Sequence, residues 1–124
     1  MVEVYLPPAR QHPIRCHDVD DARLLFEIFS TDMDEVMIAA LGPDRELRAI
    51  LAFDDVDLAT IVEDPAPVVM LAAGCGAKHV IVGHLVPTVT VDGSAEIVAQ
   101  RTLGAAFGID DIELDGWVTL PVPI

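Results

Sequence analysis

The run HVIVGHLV from His79 to Val86 constrains this chain more than any other stretch. Its apolar residues barely alternate, so as a strand it is hydrophobic on both faces and belongs in the middle of a sheet that is covered on both sides. A helix leads into it. APVVMLAAG ends at Gly74 or Gly76, with Pro65 expected at the first helical position, where its missing N–H costs nothing, and Asp64 expected as the cap. Another helix leads out: Ser94 is expected to cap AEIVAQRTLGAAFG, with Ile97, Val98, Leu103 and Phe107 as the apolar stripe and Gly108 as the stop. Helix, buried strand and helix in this order indicate an α/β crossover.

The flanking segments complete the architecture. VEVYL alternates and PPARQHP is irregular, so residues 1–17 read as an N-terminal arm and residues 18–124 as one domain. DVDDARLLFEIF places Ala22, Leu25, Phe26 and Phe29 on one helical stripe behind an acidic first turn, and this helix should stop near Ser30. EVMIAAL, the turn GPDR and ELRAILAF read as an antiparallel hairpin. IELDGWVTLPVPI reads as a last strand, interrupted at Asp115-Gly116. The order predicts a three-layer α/β sandwich around a central mixed sheet.

Charge narrows the partners. Seven basic residues against twenty-one acidic ones give a formal net charge of −14, a field that repels phosphate backbones, so nucleic acid is not an expected partner. The acidic clusters sit between apolar segments and lack the ladder of a calcium loop, which fits solvated caps and turns. Pro67, Gly74, Gly76 and Lys78 interrupt the richest apolar region, so no membrane span is expected, and MVEVYLPPARQHPIRC lacks the pattern of a signal peptide. Cys16 and Cys75 stand apart and suit reduced thiols, which makes a cytoplasmic location the expectation.

The histidines are the candidate chemistry. His79 and His84 are five residues apart, so on one strand they leave opposite faces and cannot share a metal. His84 lies at the C-terminal end of its strand, where α/β folds tend to build sites, and the helix from Ser94 returns to the same edge. His12, Cys16 and His17 offer three further metal donors, read as incidental groups of an arm. Cys75 precedes the strand, at the end away from His84, and reads as small-residue packing.

PAPVVMLAAGCGAKHVIVGHLVP followed by GSAEIVAQRTLGAAFGIDDIELDGWV resembles the JAB/MPN domain, within it the RadC-like branch, over roughly residues 20 to 120. The resemblance implies a sandwich of the cytidine deaminase-like type. In that family a glutamate opens a buried strand, and the run H-x-H-x(7)-S-x-x-D supplies two histidines and an aspartate to zinc. The zinc acidifies a water that attacks an amide or isopeptide carbonyl. Carried over, Glu35 falls at the general-base position, His84 at the first histidine, Pro87 at the proline after the histidine pair and Ser94 at the serine. Val86 and Ile97 stand at the second histidine and the aspartate, and neither has a lone pair to give. Pro65 also matches a proline of the RadC-like branch, whereas Gly116 replaces a histidine in its late LDH.

The pocket of Glu35, His84, Val86, Pro87, Ser94 and Ile97 is therefore expected to hold no zinc, with Glu35 and Ser94 as vestigial catalytic positions. Glu96, one residue before Ile97, is rotated from it by about 100° and is expected to point away from His84. The expected function is that of an inactive domain acting as an interaction or scaffold module, with a protein partner or a second copy. A zinc-dependent peptidase or isopeptidase with non-standard ligands is the alternative.

Overall fold

The computed structural model describes residues 2–6, 14–29, 34–54, 56–87 and 93–122. The elements are β1 (Val2–Tyr5), α1 (Val19–Phe29), β2 (Asp34–Leu41), β3 (Leu47–Asp54), α2 (Leu58–Glu63), α3 (Ala66–Gly74), β4 (His79–Pro87), α4 (Gly93–Ile109) and β5 (Glu113–Val122). The five strands form one sheet in the order β1-β3-β2-β4-β5. Only β4 and β5 pair in parallel, so the sheet is mixed. That pair needs a crossover, and α4 provides it. β4 lies between β2 and β5, as its unbroken apolar run requires.

Both faces of the sheet are covered. In β2, Met37, Ala39 and Leu41 join Phe26 and Ala22 of α1 in one apolar layer. Val36, Ile38 and Ala40 join residues of α2, α3 and α4 in the other. Successive strand side chains point to opposite faces, so β2 reads as continuous hydrophobic sequence and all six of these residues are fully buried. Gly83 of β4 lets α1 approach closely: a Cβ there would lie 2.8 Å from Cδ2 of Phe26. Two segments of the N-terminal arm belong to this core structure. Val2–Tyr5 pairs with β3 as an edge strand, and Cys16 is wholly buried against α1.

The helix boundaries differ from the sequence expectation in three places. First, α2 is a separate helix, because Asp57 caps it by accepting from the Thr60 amide at 2.8 Å and the Thr60 hydroxyl at 2.6 Å. Second, Asp64 closes α2 instead of capping α3. Its amide donates to the Thr60 carbonyl, Pro65 takes the cap position and α3 has no side-chain cap. Third, α4 begins at Gly93, which makes Ser94 its second residue and not its cap. The stripe that α4 buries is Ala99, Leu103 and Phe107 at four-residue spacing, whereas Ile97 and Val98 are exposed.

The interruption at Asp115-Gly116 is a bulge in a continuous strand. Leu114 pairs with Val80 and Gly116 with Ile81, which leaves Asp115 as the extra residue. The bulge shifts the alternation so that Trp117 and Thr119 face α4, while Val118 and Leu120 pack on the α1 side.

Candidate functional site

His84 is near the end of β4, paired through Cα register with Val36 of β2 on one side and Thr119 of β5 on the other. Alternation puts it on the face of Val80 and Val82, beneath the N-terminal part of α4. The first turn of α4 supplies Glu96, which accepts a hydrogen bond from His84 Nδ1 at 2.6 Å. The Thr119 hydroxyl lies 3.1 and 3.0 Å from the two oxygens of the same carboxylate and donates to it. The side chains of His84 and Glu96 are only 15 and 13% exposed. An ionised carboxylate offers only acceptors, so this bond places a proton on His84 Nδ1 and leaves Nε2 as the nitrogen able to engage anything else.

Trp117 forms a wall of the site. Its ring meets His84 edge-on at 6.5 Å and 66°, and its buried Nε1 has no hydrogen-bond partner among the described residues. Trp117 and Thr119 were not marked by the sequence motif, although both lie in a strand that runs parallel to β4. The available signal was the alternation WVT in register with the residues that end at His84.

The candidates from sequence converge only in part. The backbone of Glu35 lies in β2 at a bulge, one residue before the register partner of His84. Val86 and Pro87 end β4 opposite Pro121 and Val122. The side chains of Glu35, Val86, Pro87 and Ser94 lie outside the described ones, and His12 lies outside the described residues. Ile97 is 53% exposed and does not join His84.

The expectation that Glu96 points away is overturned by its bond to His84. The rotation between neighbours was sound, but the helix has the other phase. Ala99, Leu103 and Phe107 fix which side of α4 meets the sheet, and Glu96 falls three residues before Ala99 on that side.

A second polar cluster lies at the opposite end of β4. His79 Nδ1 stands 2.9 Å from Asp115 and 3.6 Å from Glu113, without a hydrogen bond of its own. Arg45 pairs with Asp115 and donates through Nε to the Cys16 carbonyl at 2.7 Å. A nitrogen and two carboxylates within 4.8 Å of one another have the chemistry of a cation site, but here the guanidinium already supplies the positive charge. Burial, with the Asp21 carboxylate next, pushes the Cys16 thiol up to about 11, which keeps it protonated and unreactive. Burial also raises the Cys75 thiol.

A catalytic zinc site keeps three protein ligands. Around His84 the described side chains offer one imidazole and one carboxylate, already bonded to each other, so they do not fit zinc as they stand. The arrangement can hold a proton between the two groups and orient Nε2. No helix among the described residues is long and apolar enough to cross a membrane. Comparison with protein-family models and with curated proteins gave no match.

Proposed function

We propose that this chain is a metal-free domain of the JAB/MPN type, RadC-like in topology, that serves in the cytoplasm as a protein-interaction or scaffold module. The observation that carries this reading is the closure of Glu96 onto His84 and Thr119, because it satisfies within the chain the one histidine that the resemblance sets at a ligand position. The apolar layers on both sheet faces support the three-layer sandwich of that family. Valine at position 86 and an exposed isoleucine at position 97 support the loss of zinc.

One observation favours a second reading. His84 and Glu96 are two metal-capable groups in contact, so a zinc-dependent peptidase or isopeptidase would use them as ligands. Metal analysis of the purified protein separates the two. The module contains no stoichiometric zinc and cleaves neither peptide nor isopeptide substrates when zinc is added. Near-stoichiometric zinc that is lost on His84→Ala would overturn the proposal and favour the enzyme.

A further inference from the structure

Away from His84, α3 and α4 leave a groove of about 250 Å³ between them. Its floor includes Val69 and Ala106, and its rims are Met70, 71% exposed, and Ile109, 84% exposed. These two large apolar side chains flank an apolar groove, a surface that a partner's apolar side chain can cover. The volume falls below the ~300 Å³ lower end of small-molecule sites, which suits one or two side chains of a partner. Met70 adds adaptability, since an unbranched thioether fills irregular contacts.

Charge identifies the partner. The last turn of α4 contains no basic residue, so no side chain of that turn offsets the negative end of the helix dipole. Asp110 and Asp111 follow directly, and Asp110 lines the groove. On the α3 side the exposed Glu63 and Asp64 precede Pro65, which also lines it. No lysine or arginine is among the lining residues. A second copy would bring a net charge of −14 against this acidic rim, so self-association through the groove is disfavoured.

The geometry points to a docking site for an amphipathic helix of another protein, with a large apolar side chain in the groove and lysine or arginine beside the end of α4. This inference rests on the reading of the chain as an interaction module and gives that module its kind of partner.

The test uses the full chain, isotopically labelled, at physiological salt. The probe is a synthetic amphipathic helix of leucine and lysine, compared with a leucine/glutamate helix and a lysine/serine peptide of equal positive charge. Amide shifts are expected around Val69, Met70, Ala106 and Ile109 with the leucine/lysine helix alone. Met70→Ser should weaken its binding about tenfold, and Asp110→Asn about threefold. Both positions are exposed, and an unchanged melting curve confirms that each variant folds. Equal binding of either control peptide, shifts centred elsewhere, or a homodimer that Met70→Ser disperses would overturn the inference. Zinc content is measured separately: a zinc-loaded chain that still binds the helix in this way refutes the metal-free reading and leaves the groove standing.

Discussion

Replacing Glu96 by alanine removes the acceptor for two donors at once, the His84 ring at 2.6 Å and the Thr119 hydroxyl at 3.0 to 3.1 Å. A hydrogen bond to a charged group contributes roughly 1.5–3 kcal/mol, and the neutral donor left behind costs more where water cannot reach it. Here the His84 ring that is left behind keeps slight exposure, 15%, so water recovers part of the loss and the expected cost is about 2 kcal/mol. For a chain of 124 residues the unfolding entropy near the midpoint is about 260 cal/mol/K, so Tm should fall by about 8 °C. Trp117 is the only tryptophan and stands beside His84, so its emission reports on the same place and should shift to the red as water enters. Denaturant titrations of Glu96→Ala, His84→Ala and the double variant should give a coupling of about 1 kcal/mol or more. A Glu96→Ala cost within about 0.5 kcal/mol of zero, or no coupling to His84, would refute the view that this carboxylate organises the site.

Two other sites give independent checks. Gly83→Ala drives a methyl to 2.8 Å from Cδ2 and 2.9 Å from Cε2 of Phe26, so overpacking should cost about 1–3 kcal/mol, with part regained by adding Phe26→Leu; an unchanged denaturation midpoint would contradict the close α1 approach. The Cys16 thiol is raised from 9.0 to about 11, so the folded state holds its proton more tightly than the unfolded state. Its contribution is fully present below about pH 9 and is lost as pH rises towards about 11, a loss of about 2 kcal/mol. Denaturation at about pH 8 and about pH 10.5 should therefore show a steeper alkaline decline in the native chain than in Cys16→Ala, and parallel declines would count against this burial.

Much of the fold was legible because it follows from single-element patterns. The run from His79 to Val86 announced an interior strand, and DVDDARLLFEIF announced α1 through its stripe and acidic first turn. The acidic turn works as a cap: Asp18 accepts from the Asp21 amide at 3.0 Å and Asp21 accepts from the His17 amide at 2.9 Å. The misplaced boundaries are those where two residues competed for one role. Asp57 and Asp64 both precede helical sequence, but only Asp57 has a hydroxyl and an amide three residues on that face its carboxylate. The five-residue separation of His79 and His84 placed them correctly apart, because strand alternation needs no partner to decide it.

The site was less legible because it depends on the phase of a helix. α4 carries apolar residues on several sides, including Ile97, Val98, Ala99, Leu103, Phe107 and Ile109, so periodicity alone does not say which stripe meets the sheet. The choice falls to the stripe whose side chains fit the sheet, and Ala99, Leu103 and Phe107 are buried at the expense of Ile97 and Val98. That choice carries Glu96 inward with Ala99, towards a histidine presented by β4 and a threonine that the bulge at Asp115 has turned to the same face. Packing thus decides the chemistry at this edge. Had the helix buried Ile97 instead, His84 would face an apolar side chain and its Nδ1 would need water or an ion; with Ala99 buried, the chain supplies its own carboxylate. The same choice leaves Ile97, Val98 and above all Ile109 exposed.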